Sequence, residues 1–401
     1  MSLSHVSNLF GMKFIIIVLD SVGIGEAPDA AEYGDTGANT LAHIAQSVKG
    51  LHLPTLMEMG LGNIPLLTSG LPILGVDQTD RPIASYGAMQ EVSRGKDTTT
   101  GHWEMAGIEL KNGFHVFPPG PPSFPASLVK EFEIRTGRKL LGNKAASGIA
   151  IINELGETQM KTGAWITYTS ADSVFQIAAH EEIIPLDELY HACRIARELC
   201  DPYQIGRVIA RPYTGTPGAF KRTENRHDFS YKMPEGSIFH HLYAAGITTI
   251  TVGKLDDIFS GVPITRSMHM ENNKDAKSAI FDLVASPESA FIFANFIDFD
   301  MLYGHRRDPA GYADALQDTD LFFRELLHLL RPDDILVITA DHGNDPTFRG
   351  SDHTREYVPL LVHTPSVPGH SLGIRKGFFD LAQSAAAAFK IPPLHLGVSF
   401  I

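Results

Sequence analysis

Mainly apolar runs bounded by turns recur at residues 14–19, 247–252, 290–297 and 335–339, and stretches with helical spacing, such as 273–285 and 310–330, lie between them. Each run is strand-sized and lacks polar–apolar alternation, the pattern of a strand buried on both faces. Such strands alternating with helices predict an α/β fold: a mostly parallel sheet with helices on both faces. In sheets of this kind functional loops gather at the carboxyl ends of the strands. Three segments meet that condition: Asp20 directly follows FIIIVL, DFDMLYGH follows the run 290–297, and ADHGND follows 335–339.

The middle of the chain has a different texture. GFHVFPPGPPSFP is rich in Pro and Gly and opens a new section, and RPYTGTPGAFKRTENRHDFS reads as its exit. Between them lie a helical pattern at 186–199 and a strand pattern at 164–169. At 401 residues the chain exceeds what one compact core usually holds. The expected organisation is therefore a core of residues 12–112 and 228–401, with an inserted α+β domain at 113–227.

Composition changes this picture little: 43% hydrophobic and 20% charged residues describe an ordinary globular protein. The formal charge of −13, from 33 Lys and Arg against 46 Asp and Glu, argues against a nucleic-acid surface. It leaves room for an anionic substrate, because local cations can reverse the field in a cleft. The two cysteines, Cys193 and Cys200, sit two turns apart on one predicted helix, too far for a bridge, which fits a reducing cytoplasm. No apolar run is long enough to span a membrane. The leader MSLSHVSNLFG lacks a basic region and a long apolar stretch, so it does not read as a signal peptide, and the natural start is placed near Met12.

Chemistry gathers at the three strand ends. Asp341 and His342 emerge together, His353 follows in SDHTRE, and the DFD segment adds Asp298, Asp300 and His305. A carboxylate directly after an apolar strand is costly unless it pairs with or coordinates something. Imidazoles and carboxylates without a thiolate suit Mn²⁺ or Zn²⁺ in a reactive site rather than a structural zinc. Five to seven such ligands exceed the needs of one ion, so two ions are expected. A two-ion site calls for a nucleophile, and KDTTTGHWE offers three hydroxyls. The β-branched run favours extended backbone, so the stretch reads as a strand-end loop with a turn at Gly101. A threonine there, its alkoxide made accessible by a divalent cation, could accept a phosphoryl group.

The order of these residues resembles that of the alkaline phosphatase superfamily. Within it, VLDSVGIGEAPDA, GKDTTTGHWEMAG, YTSADSVFQIAAHE, VGKLDDIF and TADHGNDPTFRGSDHTREYVPLL resemble the bacterial phosphopentomutase family over almost the whole chain. The resemblance implies an alkaline-phosphatase-like core with an inserted cap domain. It implies one manganese at Asp20, Asp341 and His342, and another at Asp300, His305 and His353. Thr98, directly after Lys-Asp, matches the phosphorylated nucleophile, with Thr99 and Thr100 as neighbouring alternatives. Ser170, Asp172 and Val174 match pentose contacts, and Arg207, Ile209 and Lys254 match substrate or phosphate contacts.

The implied reaction exchanges ribose 1-phosphate and ribose 5-phosphate, and the 2-deoxyribose pair, through phosphothreonine and a 1,5-bisphosphate. The implied activator is a sugar bisphosphate, glucose 1,6-bisphosphate or ribose 1,5-bisphosphate. The cap would keep water out and hold the bisphosphate while it turns. The implied setting is cytoplasmic, with small sugar phosphates as partners and neither nucleic acid nor membrane. The alternative is a metal-dependent phosphatase or phosphodiesterase of the same superfamily, in which water takes the phosphoryl group.

Overall fold

The computed structural model describes residues 11–170 and 172–401, so the reading of the leader falls outside it for residues 1–10. The chain divides into two compact units, one made of Met1–Lys111 with Met233–Ile401 and the other of Asn112–Lys232.

The first unit is built on an eight-stranded sheet. Its strands are β1 (Lys13–Leu19), β2 (Ser85–Gln90), β9 (Thr248–Val252), β10 (Arg266–Met268), β11 (Ala290–Phe296), β12 (Ile335–Thr339), β13 (Val358–His363) and β14 (Ser371–Lys376). The order across the sheet is β10-β9-β11-β1-β12-β13-β2-β14. All neighbours from β10 to β12 are parallel; β13 runs antiparallel to both β12 and β2, and β14 is parallel to β2. β1, β11 and β12 are buried along their whole length, as their apolar sequences require. β1 is the middle of the three, with Leu19 opposite Phe296 on one side and Val18 opposite Thr339 on the other. The three carboxyl ends therefore lie side by side.

Helices pack on this sheet in two groups. Pro309–Leu329 meets Thr40–Ser47 and Asn273–Ala285, while Asp380–Ala388 meets Ile238–Ala244 and Thr98–Met105. Local sequence explains their starts. Asp308 accepts a hydrogen bond from the Gly311 N–H ahead of Pro309, and Asn272 accepts one from Asp275 N–H. None of the helices among the described residues is long and apolar enough to cross a membrane.

The Thr98–Met105 helix corrects the reading of KDTTTGHWE as an extended strand-end loop. Asp97 decides the matter. Its carboxylate accepts from Thr100 N–H at 3.1 Å and from Thr100 Oγ1 at 2.6 Å, which caps the first turn and overrides the β preference of the threonines.

The second unit has strands β3 (Leu140–Ala145), β4 (Trp165–Thr169), β5 (Val174–His180), β6 (Arg207–Thr214), β7 (Lys221–Arg222) and β8 (His227–Ser230). They run in the order β3-β4-β5-β6-β7, with β8 also on β6, and parallel and antiparallel pairs are mixed. Pairing of β8 with β6 carries this unit past residue 227 to Lys232. The unit holds two apolar clusters. One joins Phe117, Phe124, Phe132, Trp165 and Phe175 to the Leu186–Cys200 helix; the other joins Ile151 and Ile152 to Ile166, Tyr168 and Tyr213. Cys193 and Cys200 are free thiols buried in the first cluster.

Candidate metal centre

At the end of β1, Asp20 is 4% exposed; its Oδ2 accepts from Asn295 Nδ2 at 2.8 Å, and its Oδ1 is buried without a hydrogen-bond partner. Beyond β11 the backbone makes a short π-helical segment, Phe299–Gly304, which turns Asp300 back over the sheet end. Asp300 Oδ1 accepts from Asn344 Nδ2 at 2.7 Å, and Oδ2 lies 3.0 Å from His305 Nε2 and 3.5 Å from His353 Nε2. Asp298, by contrast, turns away to accept from Asn273 N–H. At the end of β12 Asp341 is fully buried. Its Oδ1 accepts from Ser21 N–H, while Oδ2 makes no hydrogen bond and faces ring nitrogens of His102 and His342, each at 3.3 Å.

The three candidate histidines share one arrangement. Nδ1 of His305 faces the Ser351 carbonyl at 2.8 Å, that of His353 the Lys96 carbonyl at 3.0 Å, and that of His342 the Gly343 carbonyl at 3.1 Å. A carbonyl only accepts, so each Nδ1 carries the hydrogen and each Nε2 lone pair is turned inward. His305 and His353 then face each other Nε2 to Nε2 at 3.2 Å, and the His342 and His353 rings stack at 3.9 Å. Two lone pairs at that distance, beside buried carboxylate oxygens without donors, call for cations between them.

Donor atoms of Asp300, His305 and His353 fall within 4.8 Å of one another, as do those of Asp20, Asp300 and His342. The six residues thus come together as two overlapping triads, with Asp300 common to both and Asp341 beside the second. Electrostatics agree with a cationic occupant. Burial, and then the charges of Asp341 and Asp300, push the Asp20 carboxyl well above the ordinary range. Without an ion the same field favours a proton on His353, which is pushed up to about 9 because Asp300 outweighs the opposing effect of burial, and a cation would take that proton's place at Nε2. Divalent cations would relieve the crowding of carboxylates, and the donor set fits them.

Thr98 opens its helix with Oγ1 3.1 Å from His342 Nε2. The Thr100 hydroxyl is committed to Asp97 and fully buried. Gly101 lets the helix dock on the ligand strand, since a Cβ there would lie 2.3 Å from the Asp341 carbonyl oxygen. Backbone cannot yield to that overlap, so Gly101→Ala is expected to destabilise the protein by about 1–3 kcal/mol. It should also displace Thr98 from His342. Thermal melting and metal content check this; an unchanged midpoint with full metal would refute the docking argument.

Of the other sequence-predicted residues, five belong to the second unit and Lys254 to the first. Ser170, Asp172 and Arg207 gather at one end of the second unit's sheet, where Ser170 Oγ is 3.4 Å from Asp172 N and Arg207 lies 3.9 Å from Asp172 and 3.7 Å from Asp228. Val174, the register partner of Arg207, is 1% exposed and Ile209 is 2% exposed, so neither side chain presents a surface to a ligand. Lys254 follows β9 in the first unit and pairs with Glu271 at 2.9 Å.

Sequence reasoning missed a supporting layer that was present in the quoted motifs. Glu356 is buried and accepts from Gly25 N–H, Thr40 N–H, Thr40 Oγ1 and Thr354 Oγ1, tying the loop after β1 to the strand that follows His353. Arg355 is buried against Asp29 and Glu91 and donates to the Gly95 carbonyl, which anchors the loop leading to Thr98. Burial pushes the Glu356 carboxyl up to about 7. A signal was available: charged residues inside TREYVPLL, next to an apolar strand, need buried partners.

Residues 12–393 match the family described as the Metalloenzyme superfamily. The chain is 51% identical over 391 residues to a curated phosphopentomutase of Caldanaerobacter subterraneus subsp. tengcongensis, covering 97% of each chain. Among solved structures it is similar to a phosphoglycerate mutase of Leishmania mexicana, with 11% identity, 97% of each chain covered and a TM-score of 0.49. It is also similar to an alkaline phosphatase from the Antarctic bacterium TAB5, with 11% identity, 96% and 98% of the chains covered and a TM-score of 0.35.

Proposed function

The chain belongs to the Metalloenzyme superfamily and, within it, to the phosphopentomutase family, and from that premise we propose that it interconverts ribose 1-phosphate and ribose 5-phosphate, and the 2-deoxyribose pair, through phosphorylated Thr98. The observation that carries this reading is the Thr98 hydroxyl, 3.1 Å from His342 Nε2 at the mouth of the two ligand triads. The position also suits the phosphorylated state. Thr98 is the first residue of its helix, where free backbone N–H groups and the positive end of the helix dipole favour an added phosphate.

The ions in this reading are two Mn²⁺, one with Asp20, Asp341 and His342 and the other with His305 and His353, Asp300 reaching both. When bound, they supply charge neutralisation for the phosphoryl oxygens and lower the cost of a threonine alkoxide. The chain's own residues do the rest. Thr98 carries the phosphoryl group and gives it to the free hydroxyl of the sugar phosphate. The sugar O–P bond forms as the Thr98 Oγ–P bond breaks, and the proton lost by the sugar hydroxyl is balanced by the one the freed Thr98 oxygen gains. The resulting 1,5-bisphosphate returns its other phosphoryl group to Thr98, and the opposite monophosphate leaves. A sugar bisphosphate, glucose 1,6-bisphosphate or ribose 1,5-bisphosphate, would charge Thr98 at the outset.

Sugar recognition is assigned to Ser170, Asp172 and Arg207, with Val174 and Ile209 contributing through backbone and packing, and phosphate contact to Lys254. Arg207 offers a two-pronged fork and Lys254 a point charge. The reading includes a cytoplasmic setting, for which the two free buried thiols speak.

A coupled assay for ribose 5-phosphate formed from ribose 1-phosphate with Mn²⁺ tests the proposal; inorganic phosphate as the main product would replace the mutase with a hydrolase. Asp172→Ala tests sugar retention. Loss of a charge-assisted contact to a pentose hydroxyl costs about 1.5–3 kcal/mol, or roughly ten- to a hundredfold in isomerisation. Metal content should stay constant, while free bisphosphate released per sugar isomerised should rise. Unaltered turnover and leakage would remove Asp172 from sugar binding.

A further inference from the structure

His102 lies in the same helix as Thr98, one turn on, and its side chain is completely buried. Its Nδ1 is 2.8 Å from the Thr98 carbonyl oxygen and 3.3 Å from Asp341 Oδ2. Both neighbours accept hydrogen bonds, so Nδ1 carries the hydrogen. Nε2 has no hydrogen-bond partner and is buried, with the ring set against Phe259 and Phe293 at centroid distances of 6.1 and 5.7 Å. The donor is hydrogen-bonded to the backbone of the nucleophile, and it also stands 3.3 Å from the Asp341 carboxylate beside the second triad, an electrostatic contact and not a hydrogen bond. The other nitrogen is shut into an aromatic pocket, which leaves the ring a single useful orientation.

We propose that His102 is a positioning residue that locks the Thr98 turn and the Asp341 carboxylate into one register through its Nδ1–H. This role rests on Thr98 being the phosphoryl acceptor. The ring itself touches neither substrate nor reacting atoms. It holds the hydroxyl-bearing turn against the ligand strand at the point where Gly101 allows close approach, and it opposes rotation of Asp341 about its side-chain bonds. Supporting residues of this kind are worth about 10- to 100-fold in metal affinity or activity.

Three variants separate the hydrogen bond from mere packing. An asparagine amide nitrogen falls where Nδ1 lies, a glutamine amide nitrogen falls nearer Nε2, and leucine keeps apolar bulk without a donor. His102→Asn is expected to keep kcat and Mn²⁺ affinity within about tenfold of the parent, whereas His102→Gln and His102→Leu lose about a hundredfold in kcat and about tenfold in Mn²⁺ affinity. KM for the sugar phosphate should move less than kcat in all three. Mn²⁺ affinity is read by calorimetry without substrate, so it reports on Asp341 even if the assignment of ribose phosphates fails. If Asn and Leu are equally impaired in both readouts, or if Leu is undiminished, the hydrogen-bond role is overturned. Rescue by Gln and not by Asn overturns it as well, because the effective donor would then sit at Nε2.

Discussion

Thr98→Ala is expected to abolish phosphoryl transfer while leaving the fold in place. The cap that starts the helix is made by Asp97 and Thr100, so the substitution removes one hydroxyl and no structural hydrogen bond of that turn. Removing a nucleophile outright costs on the order of 10⁴–10⁶ in rate in enzymes where it has been isolated. Incubation with a sugar bisphosphate should add one phosphate to the parent chain, on the peptide containing Thr98, and none to the variant. Thr98→Ser should keep the label. A Thr98→Ala chain that still accepts phosphate would move the role to Thr99; Thr100 is the poorer candidate, since its hydroxyl is buried and bound to Asp97.

Asp300→Ala should be the most damaging of the ligand substitutions, because Asp300 belongs to both triads. His353 and His305 serve one triad each, and Asp20 and His342 the other. The expected metal count is therefore no tightly held ion in Asp300→Ala and one in His353→Ala. Loss of the ions removes several kcal/mol of transition-state stabilisation, a fall of about a thousandfold or more in rate. Elemental analysis after desalting reads the count directly. One retained ion in Asp300→Ala would mean that the carboxylate serves only the His305–His353 side. The comparison also separates a shared ligand from two independent sites, for which the two variants would behave alike.

The central strands were legible because a strand buried on both faces must be largely apolar, and runs such as FIIIVL and AFIFANF leave little else to be. β2 and β14 were not, since SYGAMQ and SLGIRK interrupt their apolar residues with glycine and are only partly buried. The threonine run misled because propensity was weighed without its cap: one carboxylate at Asp97 outweighed three β-branched residues. At the site, the cost of a carboxylate after an apolar strand pointed to Asp20, Asp341 and the DFD pair, and could not separate Asp300 from Asp298, which turns away to Asn273. Sharing of Asp300 between two triads could not be read this way, since it depends on the register of β11 against β1 and on the π-helical turn after β11. His102 and Asn295 were invisible for the same reason. Their partners, Asp341 and Asp20, lie hundreds of residues away in the chain.

The place of β1 in the middle of its sheet also governs how the molecule can be made. It is the first strand to leave the ribosome among those described, yet its hydrogen-bonding partners begin at Ala290 and Ile335, beyond the entire second unit. Six apolar residues must wait with both edges open while more than half the chain is synthesised. Contacts of such sequence separation are slow to form, and an unpaired apolar strand is a template for another copy of itself. The second unit, whose strands pair only with one another, faces no such delay. Folding of this chain is thus expected to run from the middle outward, and whatever shields β1 in the interval decides how much enzyme is recovered.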